Sequence, residues 1–247
     1  MSKDCRQNKL RAINRIQISG VSCDLCLPAD YHEGVDRYPV LYVNGEIPIE
    51  DILRKAVRSC VLPDFILLAV HPLNWNDDFT PWSAPAFGKG EEAPKGQADI
   101  YLRRLVEEIK PYMDEHYRTR PEPECTALFG YSLGGLAAVY SLYRTERFGV
   151  VGSLSGSLWY DGFCEFVQGE RPLRQPADVY LSLGKKEKLS RNPRMAKVAE
   201  CTEKVREHLE KQGNFVSFEW NEGGHFHDIA DRYARAIIWW IRKLQEN

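Results

Sequence analysis

The chain lacks the marks of a membrane-spanning, secreted or nucleic-acid-binding protein. None of its uninterrupted apolar runs approaches the roughly 20 residues needed to cross a bilayer, and the opening MSKDCRQNKLRAINR has no apolar core of the kind a secretory leader carries. Charge of one sign is not in excess: 33 Lys and Arg against 35 Asp and Glu leave a formal net charge of −2. The cations are scattered rather than gathered in a stripe, which argues against DNA or RNA as a partner. Seven cysteines in 247 residues are odd in number, in a chain too long to be a disulfide scaffold. Reduced thiols and a cytoplasmic setting are expected. Cys23 and Cys26 form a CxxC, but VSCDLCLP reads as a strand and no second pair follows, so neither a redox motif nor a zinc site is expected there.

What is present is enough apolar content, 43%, to bury a sizeable core, and one domain over 1–247 is expected. Short apolar or β-branched runs alternate with longer segments of helical period, the sign of crossover units and an α/β fold with a mostly parallel sheet. Strands are predicted near 11–19, 21–28, 39–44, 65–71, 124–130, 149–154, 177–183 and 214–220. The first two, joined by a tight turn at Gly20, should form an antiparallel hairpin at one edge. Helices are predicted over IEDILRKAVRSC, ADIYLRRLVEEIKPYMDEHY, SLGGLAAVYSLYRT, RMAKVAECTEKVREHLEKQG and DRYARAIIWWIRKL, on both faces of the sheet. The fourth should bury Val198, Cys201, Val205 and Leu209. Residues 72–96 and 156–176, rich in Pro, Gly and aromatics, fit neither period and are read as irregular insertions near the active site.

LFGYSLGGLAA holds the most informative local pattern. Gly130, Ser132 and Gly134 spell G-x-S-x-G between a buried strand and a helix, the setting of a nucleophile elbow. A strand turning sharply into a helix exposes the serine hydroxyl and leaves no room for side chains two residues to either side. A serine needs a base to take its proton. Glu187 lies just past the seventh strand and His225 just past the eighth, after Gly223 and Gly224, in the chain order Ser, Asp/Glu, His. His225 is preferred as base because it lies nearest the glycines, with His227 as the competitor and Asp228 and Glu222 as other candidate acids. Oxyanion donors are expected from the backbone N–H groups of Leu133 and Glu46, the latter after Gly45. Ser153, Ser155 and Ser157 lack the G-x-S-x-G register and read as wall and strand-end residues. HFHD has no accompanying His or Cys cluster to complete a coordination shell, so no metal is expected.

With these residues in view the chain resembles the putative-esterase family of α/β-hydrolases, in the branch holding enterochelin, salmochelin and bacillibactin esterases. The resemblance runs over YPVLYVNGE, DDFTPW, YLRRLVEEIKPYMDEHYRT, LFGYSLGGLAAVYSLYRTERFG, SGSLWY, LSLGKKEK and GGHF. It implies an eight-stranded α/β-hydrolase fold, Ser132 as nucleophile, the Gly-Gly-His position (His225) as base, and hydrolysis of carboxylic esters without a cofactor. Two positions depart from the pattern: Asn44 stands where many relatives carry Asp, and Glu187 fills the acid position, whereas some members of the branch work as a Ser-His dyad.

The two irregular segments should wall the pocket, with Trp75, Phe79, Trp82, Trp159 and Tyr160 offered to a small-molecule ester, beside Phe87 and Phe163. Lys89, Lys95, Arg171 and Arg174 could favour an anionic ligand. A siderophore trilactone esterase is the first expectation, a general short-acyl or aromatic carboxylesterase the second, and a hydrolase-fold binding protein with an idle site the alternative of another class.

Overall fold

Strands form where the apolar runs lie. The computed structural model describes residues 12–59 and 62–246, so Cys5, Cys60 and residue 11 of the first predicted strand fall outside it. The eight strands are β1 (Ile13–Ile18), β2 (Val21–Cys26), β3 (Val40–Asn44), β4 (Ile66–Val70), β5 (Thr126–Tyr131), β6 (Val150–Leu154), β7 (Asp178–Gly184) and β8 (Phe215–Asn221). VLYVN and ILLAV are buried at every position, as strands covered on both faces must be.

Across the sheet the order is β1-β2-β4-β3-β5-β6-β7-β8. β1 pairs antiparallel with β2 and β2 antiparallel with β4, while every other pairing is parallel. The chain leaves β3 for β4 on one side and later returns to place β5 on the other. The loops after β3 and β5 therefore diverge, and the crevice between them is where ligands of open α/β sheets bind.

One face of the sheet is covered by α1 (Ile49–Ser59) and α8 (Ile229–Glu246), whose Ile52, Tyr233, Ile237 and Trp240 pack on Leu41, Val43, Ala127 and Phe129. Burying each of these larger side chains contributes roughly 1.5–3 kcal/mol. The other face carries α3 (Ala98–Arg104), a π-helical turn (Leu105–Ile109), α4 (Lys110–His116), α5 (Leu133–Ser141), α6 (Phe163–Gly169) and α7 (Val198–Lys211). The π turn has a cause in the sequence: Pro111 has no N–H to offer the fourth carbonyl back and would clash with it, and the wider turn relieves both.

Three expectations needed correction. On α7 Val198, Val205 and Leu209 are buried, but Thr202 takes the fourth place and Cys201 is only partly buried, its backbone carbonyl 4.0 Å from the Cys164 sulfur of α6. Residues 156–176 contain a helix, α6, too short for its period to register; Phe163 and Val167 bury its inner side one turn apart. Residues 72–96 contain a single helical turn, α2 (Trp75–Asp78), capped by the Asn74 side chain. Around it Asp78 accepts the Leu73 N–H at 2.7 Å and Asp77 accepts the Lys95 N–H at 2.8 Å, so buried carboxylates satisfy the loop's main chain. On β2, Cys23 joins the core under α3 and Cys26 the core under α1 and α8. Three residues apart on a strand means opposite faces, and the CxxC forms no common site.

Candidate active site

Ser132 sits between β5 and α5 with φ 56° and ψ −122°, a left-handed backbone that a serine adopts only under constraint. The constraint is visible around it. A Cβ on Gly130 would stand 2.1 Å from the Gly134 carbonyl oxygen, and one on Gly134 3.0 Å from the Asn44 oxygen. The Ser132 N–H is tied to the Leu154 carbonyl at 3.1 Å, and its own carbonyl accepts from Ser157 N–H at 2.9 Å. Leu133 opens α5, so its N–H belongs to the first turn, where helix donors have no partner within the helix. Gly45, at φ 96°, turns the chain after β3 and brings Glu46 to the cleft beside Ser132.

The loop after β8 brings His225 to this serine. Its Nε2 is 3.1 Å from Ser132 Oγ and its Nδ1 2.8 Å from Glu187 Oε2. A proton on Nδ1, donated to the carboxylate, leaves Nε2 free to accept from the serine hydroxyl. Glu187 is buried, and its other oxygen accepts from Gly184 N–H at 2.7 Å, Ser155 Oγ at 2.7 Å and Arg232 Nη1 at 2.9 Å. Burial works to raise the Glu187 carboxyl, but hydrogen bonds from His225, Ser155 and Gly184 N–H outweigh it and hold it below the usual carboxylate value. The stability contributed by its charge is present above the ordinary carboxylate range and lost as pH falls through the depressed value. The competing groups are engaged elsewhere: His227 Nδ1 lies 3.2 Å from Asp228, and Glu222 pairs with Lys185.

A cleft of about 390 Å³ opens beside Ser132 and His225, lined by Asn44, Glu46, Ile47, Trp75, Tyr131, Phe226, Ile229 and Tyr233 among others. Of the five aromatics expected to touch substrate, Trp75 lines it. Of the other four, Trp82, Trp159 and Tyr160 knit the two loop segments together, and Phe79 joins the core. Phe79 is fully buried edge-on to Trp75 and Tyr101. Trp82 packs on Phe163 and Phe166 and donates to the Asp161 carbonyl, and Tyr160 donates to the Trp82 carbonyl. Trp159 meets Phe87 edge-on, with the Arg194 guanidinium 5.6 Å from its ring. Lys95 pairs with Asp77 and Arg174 with Glu124, so neither is a free cation at the cleft. Asp24, Glu46 and His71 come close enough together to hold a metal ion, but the Arg15 guanidinium already bonds both carboxylates.

Residues 20–231 match the family described as putative esterase. The chain belongs to that family. Bacillus subtilis YbbA, a protein described as uncharacterized, is 27% identical over 225 residues, which is 87% of this chain and 90% of that one. An IroE-like serine hydrolase from Shewanella oneidensis superposes with a TM-score of 0.77 at 19% identity, over 93% of this chain and 79% of that one. Siderophore hydrolase EstA from Aspergillus nidulans does so with a TM-score of 0.70 at 18% identity, over 94% and 95%. These likenesses establish the α/β-hydrolase fold, and the family makes the chain a hydrolase of the esterase type. Among the described residues no helix is long and apolar enough to cross a membrane.

Within this esterase Asn44 has a local structural role. Its Nδ2 donates to the Gly134 carbonyl at 2.9 Å and its Oδ1 accepts from Tyr101 hydroxyl at 2.8 Å, tying β3 to the start of α5 and to α3. Sequence reasoning missed Phe226, Tyr131 and Arg232; it read Ser155 as a wall and strand-end residue, without its bond to Glu187. Phe226, 85% exposed beside the base and lining the cleft, could have been found as an apolar residue inside the GGHFHD turn. Arg232 carried no signal, because a cation in a first helical turn reads as a solvated one.

Proposed function

We propose that this esterase hydrolyses carboxylic esters by a serine mechanism, with Ser132 as nucleophile, His225 as base and Glu187 as the acid that orients it. The observation carrying the reading is the unbroken chain of contacts from Ser132 Oγ through the imidazole to Glu187, at 3.1 and 2.8 Å. Ser132 attacks the ester carbonyl as His225 Nε2 takes its proton. The oxyanion is held by the N–H groups of Leu133 and Glu46, and the imidazolium by Glu187. His225 then gives the proton to the leaving alkoxide. Water, activated by the same nitrogen, attacks the acyl-enzyme and frees the acid and Ser132.

Trp75 and Phe226 at the rim support an aromatic acyl group. Together with relatives named as siderophore hydrolases, they favour a catecholate trilactone over a short-acyl ester. A cleft of about 390 Å³ takes one acyl arm and its ester, so the remaining arms would lie over the exposed Phe226. Turnover of p-nitrophenyl acetate compared with that of a catecholate trilactone, free and iron-loaded, tests this. A kcat/KM far higher for the trilactone is expected; equal or lower values would leave a general carboxylesterase, and no turnover of either would leave a binding protein.

A further inference from the structure

One buried guanidinium touches the end of β5 and the loops after β6, β7 and β8. Arg232, in the first turn of α8, is 1% exposed. Its Nη1 donates to Glu187 Oε1 at 2.9 Å, to the Tyr131 hydroxyl at 3.0 Å and to Ser155 Oγ. Its Nη2 donates to the Gly224 carbonyl at 2.8 Å and the Glu222 carbonyl at 3.3 Å. Tyr131 immediately precedes Ser132 and donates its own hydroxyl to the His225 carbonyl. The guanidinium thus joins the residue before the nucleophile, the acid, and the main chain that delivers the base.

We propose that Arg232 is a positioning residue that acts on the proton chemistry of His225 through Glu187, dividing the carboxylate between a fixed cation on Oε1 and the imidazole on Oε2. This rests on the serine mechanism proposed above. A carboxylate shared in this way stabilises the imidazolium less than an unshared one, so removing the guanidinium should strengthen its hold on the proton. The charged and titratable groups around the imidazole are few. Glu187 contacts it, the Tyr131 ring lies 5.4 Å away, Arg232 stands one carboxylate beyond, and Glu46 lines the same cleft. On its own loop Glu222 is paired with Lys185, and His227 with Asp228. Arg232 does not line the cleft, so its effect should fall on kcat and on the pH profile rather than on substrate affinity.

Arg232→Gln and Arg232→Lys test this, with chains counted as active by fluorophosphonate titration. In Arg232→Gln the acid limb of kcat/KM is expected to move up by about one pH unit, with kcat down about tenfold and KM within about twofold. Arg232→Lys, which restores the charge without the fork, is expected to return the limb to its original pH while kcat stays depressed. A folded Arg232→Gln whose limb does not move, or whose loss lies in KM, overturns the proposal. Should Arg232→Gln not fold, the double variant E187Q/R232M becomes the readout. Removing both charges is expected to recover a folded chain, because no buried charge is then stranded. A double variant that stays unfolded overturns the pairing. A wild-type chain without ester turnover strikes the serine mechanism itself; an active wild type with an unmoved limb in the variant strikes this inference alone.

Discussion

Adding a single methyl group at Gly130 tests the elbow directly. The new Cβ would lie 2.1 Å from the Gly134 carbonyl oxygen and 2.2 Å from its carbon. Both are backbone atoms in the first turn of α5, so no side chain can swing aside. To reach the 3.0 Å below which real contacts are essentially never found, β5 and α5 must separate by about 0.9 Å. Overpacking of this kind costs about 1–3 kcal/mol. The displacement falls on the segment that holds Ser132 Oγ at 3.1 Å from His225 Nε2, and a shift of about 1 Å in a reacting group costs about a hundredfold in rate. Gly130→Ala is therefore expected to lower the melting temperature and reduce kcat about a hundredfold. Gly169→Ala, where a methyl meets nothing within 4 Å at the end of α6, is the control and should leave both unchanged or raise stability slightly. Thermal melts and kcat per titrated active site read the two effects. A Gly130→Ala chain with full kcat and an unchanged melting temperature would refute the argument from close approach.

Asn44→Asp replaces the donor facing Gly134 carbonyl with a buried carboxylate and should cost about 2 kcal/mol above neutrality. Burial raises such a carboxyl, so the penalty should shrink as pH falls and the protonated acid regains a donor; denaturant titration at pH 5 and pH 8 measures it. Trp75→Ala and Phe226→Ala should each raise KM for aromatic acyl esters about tenfold, and for acetyl esters much less, in steady-state kinetics. His227→Ala should keep kcat within about twofold, since that ring is half exposed and faces Asp228; a loss of several orders of magnitude would move the base from His225 to His227.

The strands and most helices were legible because their signals are local. Fully apolar runs such as VLYVN and ILLAV can satisfy themselves only inside a covered sheet, and the elbow announces itself because Gly130 and Gly134 are demanded by sterics at fixed spacing. Ser132, Glu187 and His225 could be nominated from the chain order of strand ends, and the structure brings those three together. Apart from Trp75 and Glu46, the cleft walls were not legible. Trp82, Trp159 and Tyr160 carry the same aromatic signal whether they face substrate or one another, and which they do depends on how two distant segments dock. Arg232 is the extreme case: five contacts made by one guanidinium come from residues up to 101 positions away, which no local pattern encodes.

The central claim, that Ser132 is the nucleophile activated by His225, is tested most directly by fluorophosphonate labelling with peptide mapping of the wild type and Ser132→Ala. One label per chain at Ser132 and none in the variant is the expected result. Labelling that persists in Ser132→Ala, for instance at Ser157, whose hydroxyl lies 3.3 Å away, would contradict it.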